Sequence, residues 1–304
     1  MMQKYSIGRH LVGVCSETLA RAIGDIPGFS TFMTDEGQAP EILFIYGDAN
    51  YEEKEGSLLY SSENDGVVSE FYSTSSKGLY IQKMRHEEGE KLYMEIDVAK
   101  REATIYGSLM PQMLRFALWI GYGAMLSGRE TIAIHSSCII YKGKAVIFLG
   151  ESGTGKSTHT RLWRENIDGA ELLNDDSPIV RTVSDSVDEA HNGEVGSSGV
   201  FVYGSPWSGK TPCYKNECYH LRAMVRLSQA PHNAIKQLRG VRAIGALLPS
   251  LPPAFVFDKA LENSLLGVLS KVLGKVKMYH LECLPDIAAA ELSFITVFDD
   301  EVAG

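Results

Sequence analysis

Up to about residue 107, apolar and polar positions alternate with a period of two, in short runs broken by turn-forming residues. Runs at 41–46, 66–72, 79–84, 92–97 and 103–106 have the alternation of half-buried strands. The polar segments between them, such as 50–56 and 85–90, predict exposed turns, and Glu87, Glu88 and Glu90 predict a solvated hairpin tip. Residues 110–127 then form one long apolar stretch, the pattern of a helix buried on most sides; Gly121 and Gly123 either weaken it or mark close packing. Beyond residue 127, two strand-like runs at 131–141 and 144–149 meet at Lys142-Gly143, a hairpin turn. A helix at 158–166 follows, then strands at 171–174, 177–183 and 200–203. From residue 216 the periodicity turns helical through 227, with further helices predicted at 233–247, 255–273 and 286–293. The polar, glycine-containing stretch 184–199 reads as a long loop, either disordered or a mobile lid.

This texture predicts an α/β protein with a β-rich N-terminal domain at 1–128, ending in a helix, and a second domain at 129–304. A 304-residue chain with 44% hydrophobic residues has material for such a division. The formal net charge of −9 excludes a general nucleic-acid binder, which needs a basic face. The first ten residues lack the apolar core of a signal peptide, and the 113–126 stretch is too short and too interrupted, by Arg115, to span a bilayer. The five scattered cysteines include no C-x-x-C pair and fit reduced thiols, so the cytoplasm and the absence of a membrane partner are the expectation. Cys213, Cys218 and His220 are close in sequence but match no standard zinc spacing.

The chemistry concentrates in Gly150, Glu151, Ser152, Gly153, Thr154, Gly155, Lys156, Ser157 and Thr158, which together read GESGTGKST. Every fixed position of the phosphate-loop pattern G-x-x-x-x-G-K-[ST] is met, between an apolar strand and a glycine-free helix. A chain that turns through glycines from strand to helix aims backbone N–H groups and the positive end of the helix dipole at one point, which suits a phosphate. Lys156 adds a point charge, and the Ser157 hydroxyl is placed for Mg²⁺. Asp175 and Asp176 follow at the end of the next short strand, Asp175 only 18 residues after Ser157. Such a pair either makes a polar turn before Pro178 or supplies the two carboxylates that phosphoryl transfer needs, one for the metal and one for the acceptor.

The order of His135, then GESGTGKST beginning 15 residues later, then Asp175-Asp176, resembles the catalytic domain of the HPr kinase/phosphorylase family and its phosphoenolpyruvate-carboxykinase-like relatives. The resemblance is good over roughly residues 130–215, loose over the C-terminus and absent over 1–107. It implies a phosphoenolpyruvate-carboxykinase-like P-loop fold for the second domain and an ATP- and Mg²⁺-dependent kinase. In that scheme Ser152 to Gly155 cradle the β-phosphate, Lys156 bridges β and γ, Ser157 and Asp176 hold Mg²⁺, and Asp175 is the catalytic base. His135 would set the protonation of the acidic pair; by itself it reads first as a packed strand histidine, and only the family spacing turns the reading toward the site. The acceptor would be a hydroxyl, such as a protein or peptide serine, with homo-oligomers suggested by the same analogy. Thr158 stands where HPr kinases carry Glu, and 239–245 is only a weak counterpart of their protein-substrate segment, so the acceptor and the donor (ATP, GTP or pyrophosphate) stay open. The segment GSPWSGK, with Trp207 and Lys210, resembles a motif of HPr-kinase-like serine kinases: Trp207 either stacks on a ligand or packs in a turn, and Lys210 would reach a phosphate. Two other functions fit the same loop: a carboxykinase-type decarboxylase and a non-catalytic nucleotide-binding regulatory module.

Overall fold

The computed structural model describes residues 2–48, 51–184, 198–209 and 211–299. It is a mixed α/β structure with two sheets, dividing into two compact units: Met1–Arg129 with Pro252–Leu265, and Glu130–Leu251 with Leu266–Gly304. Among the described residues, no helix is long and apolar enough to cross a membrane.

The first unit contains β1 (Gln3–Ile7), β2 (His10–Val14), α1 (Glu17–Gly24), β3 (Ile42–Tyr46), β4 (Ser57–Asn64), β5 (Val67–Ser73), β6 (Leu79–His86), β7 (Lys91–Asp97), β8 (Glu102–Gly107) and α2 (Pro111–Met125). Its sheet runs β1-β2-β3-β8-β7-β6-β5-β4, antiparallel except for the parallel pairs β2/β3 and β3/β8. Each alternating run of the sequence becomes a strand, and Glu87, Glu88 and Glu90 lie exposed at the β6–β7 turn. Pro111 opens α2 at a position where its missing N–H costs nothing. Gly121 in α2 marks close packing, since a Cβ there would come within 2.8 Å of the Phe44 ring.

The second unit contains β9 (Thr131–Ala133), β10 (Ser136–Tyr141), β11 (Lys144–Leu149), α3 (Lys156–Asn166), β12 (Glu171–Asn174), β13 (Ile179–Val183), β14 (Gly199–Tyr203), β15 (Cys218–Gln229), β16 (Ala234–Leu238), α4 (Val241–Leu247), α5 (Lys259–Lys275, which begins in the first unit), β17 (Lys277–Cys283) and α6 (Ile287–Val297). The sheet order is β12-β10-β11-β15-β14-β13-β9, with β17 added to β15 and β16 to β17. Lys142 and Gly143 both adopt positive φ (45° and 72°), the conformation of the two-residue hairpin turn that joins β10 to β11. The run 131–141 is two strands, not one, because the chain leaves the sheet at Ile134 and His135.

Two helical expectations are corrected. Cys218–Gln229 is a strand, and β17 fills a stretch that carried no strand expectation. Leu, Arg, Ala and Met give the first segment good helix propensity. Its place overrides that: β15 pairs in parallel with β11 on one edge, and on the other antiparallel with β14 and then in parallel with β17. Leu221, Ala223, Val225 and Leu227, every second residue, are buried, while Arg222 and Arg226 alternate with them. Likewise 233–238 is mostly strand β16, and only Val241–Leu247 of that region is helical. Trp163 of α3 is fully buried in a core with Phe148, Val225, Leu281 and Phe298, which fixes α3 against the sheet.

Candidate functional site

Sheet register brings the sequence-distant candidates to one edge. β10 is antiparallel to both β11 and β12, so the start of β10 lies beside the ends of the other two: Ser136 opposite Leu149, and Cys138 opposite Asn174. His135 immediately precedes β10, Gly150 follows β11, and Asp175-Asp176 follow β12. The three segments therefore meet at one edge of the sheet, the usual location of ligand sites in open α/β structures.

The loop after β11 enters α3 through Gly155, which stands at the N-cap with φ 101°, a conformation open to glycine at little cost. Among the described residues no side chain caps this helix end, which leaves its first N–H groups to face an anion. Arg226 and Gln229 of β15 brace the loop from the neighbouring strand. Arg226 bonds the Glu151 carboxylate at 3.2 Å and the Ala246 carbonyl at 3.0 Å, and Gln229 Nε2 donates to the Gly153 carbonyl at 3.1 Å. Lys156 is buried and directs Nζ at the Gly150 carbonyl (2.6 Å), the Glu151 carbonyl (3.4 Å) and His135 Nε2 (3.1 Å). Burial lowers its pKa, opposed by the Asp176 and Asp175 carboxylates.

With Lys156 as an ammonium, which can only donate, the tautomer assigned to His135 has Nε2 as acceptor and the ring proton on Nδ1. Nδ1 lies 3.0 Å from Asp176 Oδ1, completing a line Lys156–His135–Asp176. His135 is thus joined to the loop and the acidic pair, and its side chain stays 41% exposed.

The two aspartates part company. Asp175 is buried and accepts from Ser137 Oγ (2.8 Å), the Thr211 N–H (3.1 Å) and Ser157 Oγ (3.3 Å). Asp176 is partly exposed against His135. Asn174 shapes the turn between them, its Oδ1 accepting from the N–H groups of Asp176 and Ser177. The hydroxyl–carboxylate pair formed by Ser157 is therefore with Asp175, where the resemblance pairs Ser157 with Asp176.

Trp207 does not offer a face for stacking: it is 3% exposed, and its neighbourhood is a backbone mould for the acidic turn. Its carbonyl accepts from the Ser177 N–H, and Ser205 Oγ bonds the Ser177 carbonyl. Gly209 lies so close that a Cβ there would be 2.8 Å from the Asp175 carbonyl oxygen. Lys210 and residues 185–197, which make up most of the loop expected at 184–199, lie outside the described residues. Cys213 faces the Leu172 and Leu173 carbonyls, and among the described residues no group of three or more His, Cys, Asp or Glu side chains is arranged to hold a metal ion.

Four residues of this site carry no local signal in sequence: Ser137, Thr211, Arg226 and Gln229. The chain matches no protein-family model and no curated protein at a significant level.

Proposed function

We propose that the second unit is an ATP- and Mg²⁺-dependent phosphotransferase of the HPr-kinase-like type, with a phosphoenolpyruvate-carboxykinase-like fold, that moves a phosphoryl group to a hydroxyl of a protein, peptide or small molecule. The observation that carries this reading is the hydrogen-bonded line Lys156–His135–Asp176 beside a phosphate loop whose helix has no side-chain cap. A module that only held nucleotide would need the loop, the lysine and one carboxylate for the metal; the second carboxylate, held by His135, favours transfer.

Phosphoryl transfer is mostly positioning and charge neutralisation. The α3 N–H groups and Lys156 receive phosphate oxygens, with Lys156 exchanging its carbonyl partners for them. Mg²⁺ supplies neutralisation of the charge on the moving group. Ser157 with Asp175, already in contact, are the residues that would hold it. Among the described residues Ser137, Ser157 and Thr211 donate to the buried Asp175, and we assign the acceptor's proton to Asp176, which is partly exposed beside His135. The acceptor oxygen then bonds to the terminal phosphorus as the bond to the bridging oxygen breaks and ADP leaves. His135, donating from Nδ1, keeps the Asp176 carboxylate aimed. The roles of the two aspartates are thereby exchanged relative to the family scheme.

Titrating MgATP into wild type and Lys156→Ala tests the reading. Loss of the charged donor should weaken binding by about 10- to 100-fold, since a hydrogen bond to a charged group is worth about 1.5–3 kcal/mol. Equal affinities would sink it.

A further inference from the structure

A cavity of about 590 Å³ borders the phosphate loop and His159 and belongs to the site already described. A different cavity, of about 500 Å³, is framed by the end of β16, the turn into α4, the last turn of α5 and the start of β17. We propose that this second cavity binds a small amphipathic organic anion, with one acidic head group (carboxylate or phosphate) on an apolar body.

Charge gives the first argument. Arg239, Lys275 and Lys277 line the cavity, and no Asp or Glu does. Among the described residues Lys275 and Lys277 have no ion pair, and Arg239 reaches only the neutral amide of Gln237, at 3.2 Å. Cations nearby are matched: Lys236 meets Glu282, Lys271 meets Glu130, and Arg226 meets Glu151. Lys275 also suits the C-terminal turn of α5, where a cation is favourable, but Arg239 and Lys277 lie outside any helix. In a chain of net charge −9, three cations left without a carboxylate around one concavity mark a place that attracts anions.

Shape and polarity give the second. The rest of the lining is largely apolar, with Ile244 of α4, Leu273 of α5 and Met278 of β17. The backbone is bare at two places, because a Cβ built on Gly240 or Gly274 would meet nothing within 4 Å. Gly240 holds φ 55° with ψ −134°, a conformation open essentially to glycine alone. A purely ionic ligand would leave the apolar lining wet, and a purely apolar one would leave the cations unpaired. An amphipathic anion answers both, and the volume falls in the range of small-molecule pockets, roughly 300–1,000 Å³.

The cavity lies away from the phosphate-loop edge. β15 and β17 run parallel, and the loop is braced at their C-terminal ends, where Arg226 stands opposite His280 and Gln229 opposite Cys283. Met278 precedes Cys283 by five residues, roughly 16 Å along the strand. The proposal is therefore independent of the phosphotransferase reading, and the anion should bind without competing for the loop.

Calorimetric titration of the full chain with octanoate, octyl phosphate, acetate and octanol tests this, in wild type, Lys156→Ala and the double variant Arg239→Gln/Lys277→Gln. Both side chains changed in the double variant are exposed, so the core is left intact. Octanoate or octyl phosphate should bind, the tighter of the two identifying the head group, with acetate and octanol at least tenfold weaker. Shortening octanoate to hexanoate should weaken binding by about 15-fold, since each buried methylene is worth about fourfold. The double variant should lose at least tenfold and Lys156→Ala nothing, and the ligand should slow amide exchange within 237–244 and 270–278. Absence of binding by both amphiphiles, acetate or octanol as tight as octanoate, or unchanged binding in the double variant would overturn the proposal. Loss of binding in Lys156→Ala alone would also overturn it, by placing the anion in the phosphate loop. Should the double variant not fold, the head-group comparison and the exchange map of wild type decide the matter alone.

Discussion

The first turns of α3 separate two environments that differ in almost every physical respect. On one side Ser157 meets a buried carboxylate, and His135, half exposed, is tied to Lys156 and Asp176. On the other side His159 is buried, in edge contact with the Phe148 ring, its Nε2 set 3.0 Å from Ser293 Oγ. Ser293 Oγ also meets the Ala290 carbonyl and accepts from Trp163 Nε1, and burial, which lowers the His159 pKa to about 4, keeps the ring neutral near pH 7. One histidine is placed to orient a carboxylate; the other completes a core and borders an apolar cavity. The contrast teaches that the start of α3 is a boundary, with charged and hydroxyl groups gathered on one side and apolar packing on the other.

Breaking the polar side should have the largest effect. Asp176→Asn keeps an acceptor for His135 but cannot take a proton, so transfer, or slow ATP hydrolysis with water as acceptor, should fall by about 10²–10⁴-fold while MgATP affinity is unchanged. ADP release measured against time reads the first quantity and calorimetry the second. A variant as fast as wild type would remove Asp176 from the chemistry.

The apolar side should show itself through pH. Burial lowers the His159 pKa from 6.5 to about 4, so on acidification the unfolded chain takes up the proton first. The contribution is fully present above about pH 6.5 and is lost as pH falls toward 4, on the order of 3 kcal/mol in all. Denaturant melts of wild type and His159→Gln between pH 7 and 4 should show that slope in wild type and a flatter curve in the variant. Parallel curves would mean that His159 is not the group responsible.

A smaller effect sharpens the role of the tryptophan loop. Gly209→Ala pushes a methyl group against the Asp175 carbonyl, which should destabilise the protein by about 1–3 kcal/mol in a thermal or denaturant melt. Trp207 fluorescence, from a buried ring, should not respond to nucleotide by quenching through direct stacking. An unchanged melt would mean that the loop gives way there.

Much of this site was readable before the fold was known, and the reasons are local. The glycines of GESGTGKST, the Lys142-Gly143 turn and the short β12 run each impose a backbone conformation through near neighbours, so sequence alone places them. Arg226 and Gln229 were out of reach because β15 is composed like a helix and becomes a strand only through partners on both edges. Ser137 contributes through register, and Thr211 contributes only a backbone N–H, which no side chain announces. Trp207 shows the opposite hazard: a tryptophan between glycines invites a ligand, yet burial gives it a structural task. The division of labour proposed for the aspartates was equally hidden, since it depends on which carboxylate the neighbouring hydroxyls reach.

That division is tested most directly by titrating ATP, with and without Mg²⁺, into Asp175→Asn and Asp176→Asn. Asp175→Asn should lose the part of the affinity that depends on Mg²⁺, and Asp176→Asn should bind MgATP as wild type does. The reverse pattern, with Mg²⁺ dependence lost only in Asp176→Asn, would contradict the assignment of metal to Asp175 and proton to Asp176.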